Sequence, residues 1–242
     1  MAGKGRGKRA DEGRTNARRV ITAFVLAAAF AACAVAVPVA VSPRAERAVV
    51  VVDAGHGGAD GGVTGVNTGV KESDLNLAMS FLIGGCLEGM GFEVVYTRTG
   101  KGGLYDETDR DKKSADMHRR GEIIRASAPS AVLSVHMNIF FERGRRGAQV
   151  FFDRSSEGGR ALAEGIQTAL NEGFNLPDAG REFAALSAEK FILQQSAAPS
   201  VIVECGFLSN PADEANLLDP DYTVRFAETV ADSVHAFLAG GA

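Results

Sequence analysis

The sequence predicts an α/β fold: a mainly parallel sheet with helices on both faces, preceded by one apolar N-terminal helix. Three observations predict it. From residue 48 onward, short β-branched runs alternate with longer stretches of helical spacing, the pattern of strand–helix–strand units. The runs Val49-Val50-Val51-Val52, Ala131-Val132-Leu133 and Val201-Ile202-Val203 are continuously apolar, as strands buried on both faces are. Finally, Val20 to Val41 carries no charged residue over 22 positions, enough for a helix to span a bilayer core of about 30 Å.

The N-terminal part sets the topology. Residues 1–19 are basic, rich in Gly and Arg, and poor in apolar side chains; they read as a cytoplasmic tail. A basic flank before an apolar segment places the residues beyond that segment on the far side of the membrane. Residues 20–41 are then a signal anchor, or a signal peptide cleaved near Ala34-Val35-Ala36. The apolar region of a signal peptide runs about 7–15 residues, so the length favours the anchor. Residues 42–47 form a linker, and residues 48–242 the soluble domain.

Charge divides at the same place. Residues 1–47 hold nine Lys/Arg against three Asp/Glu, a net of +6, and the rest holds 17 against 27, a net of −10. A body this acidic lacks the basic footprint that nucleic-acid binding requires. The three cysteines, Cys33, Cys86 and Cys205, are far apart and form no C-x-x-C pair, which argues against a thiolate zinc knuckle, a redox pair or a disulfide framework.

Within the soluble domain, residues 48–53 are the first buried strand. Residues 54–70 are a glycine-rich loop, and a loop that long inside a compact domain is usually functional. A helix opens at Glu72-Ser73-Asp74, with Ser73 as a plausible N-cap, and Gly91 ends it. Residues 92–98 are a second strand, residues 114–127 a helix, and residues 131–136 a third strand. A fourth strand covers 147–152, followed by an amphipathic helix over 156–171 through Leu162, Ile166 and Leu170. Residues 190–195 read as a short extended piece and 200–207 as the last strand. Two helices, 211–218 and 221–238, finish the chain.

Three of these strands end in a residue able to hold a metal or a proton: His56 just past the first, His136 on the third, Glu204 on the last. In open α/β sheets, ligands bind at the carboxyl ends of strands, so all three belong on one rim. Catalytic zinc takes three protein ligands, His₂Glu being a common set, and lowers the pKa of its water to about 7. A second carboxylate off the metal then handles protons. His56 and His136 supply the nitrogens. Glu204, flanked by Ile202, Val203, Cys205 and Phe207, sits where apolar surroundings raise a carboxyl pKa toward general-base range. Glu72, at the mouth of a helix just after the glycine loop, is the better third ligand, although helix geometry alone allows Asp74 as well.

Asp53-Ala54-Gly55-His56-Gly57-Gly58, Lys71-Glu72, Ser134-Val135-His136-Met137-Asn138 and Val203-Glu204-Cys205-Gly206-Phe207-Leu208-Ser209-Asn210 together resemble the zinc-dependent N-acetylmuramoyl-L-alanine amidases. The likeness covers about residues 48–238 with every motif in order, and is strongest to the germination-specific amidase of spore formers. The resemblance implies a twisted, mainly parallel six-stranded sheet flanked by helices. It implies one Zn²⁺ ion on His56, Glu72 and His136, and Glu204 as the catalytic carboxylate. The implied reaction cleaves the amide between the muramic lactyl group and L-alanine in peptidoglycan, in spore cortex on the way to muramic-δ-lactam. An arginine that the family carries ahead of the last strand corresponds to Arg181, a candidate substrate contact. Asn138 is another, or a loop cap. No cell-wall-binding repeats accompany the domain, so targeting falls to the membrane helix or an activating partner protein.

The remaining candidates have plainer readings. His118 is a surface or helix-end histidine, His235 is structural, and Cys205 points by alternation to the sheet face opposite Glu204, as a core thiol. Asp53 is expected to orient a metal-bound histidine or to meet a helix N-terminus. Arg143-Gly144-Arg145-Arg146 reads as a solvated face. A dinucleotide loop is disfavoured, because Gly55-x-Gly57-x-x lands on Asp60 and the helix starts well after the turn. A zinc peptidase acting on stem peptides would use the same metal chemistry, and a non-catalytic cell-wall-binding module would not need all four polar positions filled.

Overall fold

The computed structural model describes residues 47–240. The expected basic tail and membrane helix, and all but the last residue of the linker, lie outside the described residues. Among those described, no helix is long and apolar enough to cross a membrane.

The chain runs β1 (Val49–Ala54), α1 (Glu72–Gly89), β2 (Glu93–Tyr96), α2 (Lys112–Ala126), β3 (Ala131–Asn138), β4 (Gln149–Phe152) and α3 (Glu157–Leu170). A π-helical stretch, Asn171–Ala179, then leads to β5 (Leu186–Ser187), a 3₁₀ turn (Phe191–Gln194), β6 (Ser200–Phe207), α4 (Pro211–Leu218) and α5 (Pro220–Gly240). The six strands form one sheet in the order β2-β1-β3-β6-β4-β5. β1, β2, β3 and β6 are mutually parallel, so the strands expected to carry the site, β1, β3 and β6, are neighbours at its centre.

The sheet is mixed rather than uniformly parallel, because β4 pairs with β6 antiparallel. A parallel return needs a crossover of about a dozen residues or more, usually a helix. Residues 139–148 hold no helix, so the chain turns back and enters reversed. β5, two residues long, was not legible as a strand; it pairs parallel with β4, after a crossover through α3 and the π-helical stretch.

The apolar runs divide between the two faces. Val50, Val52, Leu133, Val135, Val201, Val203 and Cys205 pack with Ile83 and Leu87 of α1, Leu162 and Ile166 of α3, and Val230 and Val234 of α5 in the main core. Val51, Val132 and Ile202 face the other way, against Ile124 of α2 and Ile192 and Leu193 of the 3₁₀ turn. Fully burying each such side chain contributes roughly 1.5–3 kcal/mol. One face is therefore covered by α1, α3 and α5, with Leu217 of α4 and Phe174 of the π-helical stretch adding to it, and the other by one helix and a single turn. On that thinner face the C-terminal strand positions become polar, as Ser134, His136 and Glu204, and a groove is left open over them.

Local differences from the sequence reading have local causes. Ser73 is not the N-cap of α1: Lys71 is, with no side-chain cap. The amides of Glu72 and Ser73 instead donate to Val63 O at 2.8 Å and Gly61 O at 3.1 Å, so the glycine loop satisfies donors that a helix start leaves free. The segment 190–195, expected to be extended, holds the 3₁₀ turn, with Ile192 and Leu193 buried under it. The helix expected to stop at Asn171 runs on as the π-helical stretch until Gly180, at φ 68°, ends it.

Candidate active site

β1 delivers the first side chain. Gly55 N donates to Val135 O at 3.0 Å, continuing the pairing one step past the strand. His56 then turns into the left-handed region at φ 60°, a conformation costly for a residue with a side chain. Two guanidiniums hold this turn by its carbonyls. Arg120 donates to Ala54 O and His56 O, both at 2.6 Å. Arg98 donates to Ala54 O at 2.8 Å and Gly55 O at 3.0 Å. Asp53 does not touch either histidine, contrary to expectation. It accepts from Arg120, Thr97 and Ser134 at 2.6–2.7 Å and so anchors the guanidinium beneath the turn. The partner of His56 Nδ1 is instead Asp60, at 3.0 Å.

Glu72, at the first position of α1, lies between the two imidazoles. Its Oε1 is 3.2 Å from His56 Nε2 and 3.1 Å from His136 Nδ1. Val63 N donates to its other oxygen at 2.9 Å, and Asn76, one turn along α1, reaches both Glu72 and Gly55 O. Of the two carboxylates that spacing left open, Asp74 faces elsewhere and pairs with Lys101 at 3.2 Å. The glycines make the close approach possible. A Cβ on Gly55 would lie 2.3 Å from the His136 ring, and one on Gly62, at φ 68°, would lie 2.4 Å from Glu72 Oε2. The loop is not slack: it is pinned by bridges between Gly57 and Asp60 and between Thr64 and Lys71. Glu214 of α4 adds to this by accepting from the amides of Asn67 and Thr68.

Glu204 is the register partner of His136 on the adjacent parallel strand. Its Oε2 is buried and has no hydrogen-bond partner within the protein. Burial pushes its pKa up and the neighbouring Glu72 charge adds to this, while the imidazole of His136 opposes it. Glu72 moves the other way. Burial alone would raise it, but hydrogen bonds from His136, His56 and Val63 N outweigh this and hold it well below the usual carboxylate range. The two carboxylates thus sit in opposed environments: Glu72 is held ionised between the imidazoles, as a metal ligand needs to be, and Glu204 is pushed toward its neutral form.

The donor set suits zinc. Ligand atoms of His56, Glu72 and His136 all lie within 4.8 Å of one another. Two of the spacings, 3.1 and 3.2 Å, are close to the edge of a tetrahedron about 3.3 Å long that Zn–N and Zn–O distances near 2.0–2.1 Å define. These residues line a groove of about 840 Å³ that also includes Tyr105, Met117, Asn138, Lys190 and Ile202.

Asn138 thus reaches the groove, with its Oδ1 accepting from Ile139 N at 2.8 Å. Arg181 is not among the lining residues; it is exposed, with its guanidinium over the Phe183 ring at 4.3 Å. His118 is exposed on α2, bonded to Ser114 O, and His235 lies edge-on to Phe92. Cys205 is buried in the main core on the far face. In the Arg143–Arg146 run, Arg143 is exposed, but Arg145 covers Phe140 and Phe207 and Arg146 reaches Asp213 at 3.3 Å. Arg98, Arg120, Asp60 and Glu214 were missed by sequence reasoning. Arg98 lies two residues past β2, at the end of the strand the sequence predicts, a signal that was available; Arg120, beside Arg119 on a polar helix, carries none.

The comparisons with known proteins fit this geometry. The family model described as N-acetylmuramoyl-L-alanine amidase matches residues 50–236. The germination-specific N-acetylmuramoyl-L-alanine amidase of Bacillus subtilis (strain 168) is 28% identical over 185 residues, 75% of this chain and 76% of that protein. Among solved structures, the CwlD amidase from Clostridioides difficile, in complex with the GerS lipoprotein, superposes with a TM-score of 0.75 at 29% identity, covering 80% of this chain and 100% of that one. The catalytic domain of CwlV, from Bacillus (Paenibacillus) polymyxa var. colistinus, gives 0.67 at 26% identity, covering 79% and 98%. The family match takes in His56, Glu72, His136 and Glu204, and the chain belongs to the N-acetylmuramoyl-L-alanine amidase family.

Proposed function

We propose that this chain hydrolyses the amide joining N-acetylmuramic acid to L-alanine in peptidoglycan, with one zinc ion held by His56, Glu72 and His136 and with Glu204 carrying the proton. The observation behind this reading is Glu72 lying between two imidazoles while Glu204, in register with His136, keeps an unbonded buried oxygen. Zinc in such a site supplies Lewis acidity, polarising the scissile carbonyl and acidifying the attacking water to a pKa of about 7. Asp60 orients His56, and Met137 N, donating to Glu72 Oε1 at 3.2 Å, orients Glu72. Glu204, its pKa raised by burial, takes the water's proton and returns it to the nitrogen of L-alanine as the C–N bond breaks. The products are a lactyl carboxylate and a free peptide amine. Asn138 contacts substrate within the groove; Arg181 can meet only a part of the glycan that extends past it.

The finer assignments rest on relatives and sequence. A role in spore cortex, on the way to muramic-δ-lactam, is supported by the germination-specific relative. An extracytoplasmic location with a membrane helix at residues 20–41 is supported by their apolar composition. An activating partner is supported by the lipoprotein complex of the similar amidase and by Phe140 and Phe141, exposed next to the lining residue Ile139.

Mass spectrometry of muropeptides from digested peptidoglycan tests the reaction. Free stem peptides and peptide-less muramic acid are expected, both abolished by chelator and restored by zinc. Shortened stems still attached to muramic acid would show a peptidase instead.

A further inference from the structure

Three lysines line the groove: Lys112 and Lys113 at the start of α2, and Lys190 just before the 3₁₀ turn. Two are already engaged. Lys112 meets Glu107 at 2.7 Å and Lys113 meets Asp60 at 3.5 Å. Lys190 has no ion-pair partner among the described residues, although its charge is felt at Glu204. The soluble body carries 27 Asp/Glu against 17 Lys/Arg, so carboxylates are plentiful, and this cation beside the site stays free of them. Lys190 and Phe191 are exposed while Ile192 is buried, and all three line the same groove, so the ammonium is open to an incoming group.

The other acids in the groove are accounted for. Asp53 and Asp116 belong to Arg120, Asp60 to His56 and Lys113, and Glu72 to the two histidines. Lys190 acts on Glu204 through its charge but makes no ion pair with it, and so it is left for an anion brought by the substrate. A peptidoglycan stem offers one close to the scissile amide. The residue after L-alanine bears a free carboxylate unless it is amidated, and consecutive Cα atoms are about 3.8 Å apart, so that carboxylate arrives within the same groove.

We propose that Lys190 is a specificity-determining residue for the peptide side of the substrate, its ammonium receiving the carboxylate on the stem residue that comes after L-alanine. This rests on the amidase reading given above. The enzyme then discriminates carboxylate-bearing stems from stems amidated at that position. No bond is made or broken by Lys190; the preference it confers falls on KM, and the charge it exerts on Glu204 acts on both stems alike.

The test uses two synthetic muramoyl peptides, identical but for a carboxylate or a carboxamide on the second residue. The zinc-loaded wild type is expected to favour the carboxylate by roughly tenfold in kcat/KM, the size of one charge-assisted contact. Lys190→Gln should remove that preference by raising KM for the carboxylate peptide alone, and Lys190→Arg should restore most of it. An equal loss on both peptides, or an unchanged preference, overturns the proposal. A binding arm separates this from the amidase reading. Calorimetry with zinc-loaded Glu204→Gln should show the same tenfold preference, lost in Glu204→Gln/Lys190→Gln. If the wild type cleaves neither peptide the amidase reading fails, and the binding preference alone then decides for or against Lys190.

Discussion

Gly55 is the position where one added carbon should do most harm. Its backbone lies against the His136 ring, and a Cβ would sit 2.3 Å from that ring. Gly55→Ala is expected to displace the imidazole and weaken zinc binding about 10–100-fold, the range seen when ligand orientation is lost, while the far-face core stays intact. Competition with a chromophoric chelator measures this; wild-type affinity would show that the loop yields instead. Glu204→Gln should do the reverse, keeping zinc and lowering turnover by about 10²–10⁴-fold, the usual contribution of a proton carrier; metal analysis with muropeptide release reads both. At this scale the sequence was most informative where chemistry coincides with a strand end, as at His56, His136 and Glu204. It misled at Asp53, whose partners Thr97, Arg120 and Ser134 come from three other segments. No local pattern records that pairing.

Among the elements, α4 does more than close the sheet. Glu214, buried on its inner side, accepts from Asn67 N, Thr68 N and Thr68 Oγ1 at 2.7–2.8 Å. It thereby holds the loop whose Val63 amide binds Glu72. Glu214→Ala leaves those donors without an acceptor, a cost of about 1–3 kcal/mol. Faster limited proteolysis within residues 64–70 is expected, along with weaker zinc retention; unchanged cleavage would show the loop to be held by its own glycine-rich pairing. The strands were legible because short apolar runs, rich in β-branched residues and bounded by Gly, Pro or Asp, favour buried strands over helices. The direction of β4 and the existence of β5 were not, since both depend on what occupies the edge beyond β6. The N-terminus of α1 was misread for a related reason: its donors are met by a distant loop backbone rather than by the local Ser73.

For the described domain, the Asp53–Arg120 pair joins β1, β3, α2 and Thr97, the residue just after β2, at one buried point. Burial would raise the Asp53 pKa, but the Arg120 charge and the hydroxyls of Ser134 and Thr97 outweigh it, holding it below the ordinary value of about 3.9. A carboxyl depressed in the folded state stabilises the fold above its unfolded pKa and loses that contribution as pH falls through the folded value. Stability should therefore drop on acidification below about pH 4, and Asp53→Asn should flatten that limb. The variant should also cost about 3–5 kcal/mol near neutral pH, because Arg120 is left buried and half-paired. Urea midpoints across about pH 3–6 check both statements; an unaltered acid limb in the variant would place the effect elsewhere.

The placement of β6 between β3 and β4 also sets an order of assembly. His56, Glu72 and His136 all lie in the first 138 residues, whereas Glu204 enters on the last strand to be synthesised. On the proposed reading, a chain released before residue 200 would contain every metal donor and no proton carrier. If Glu204 carries the proton, hydrolytic competence waits until nearly the whole polypeptide has been made and its final strand has entered the middle of the sheet.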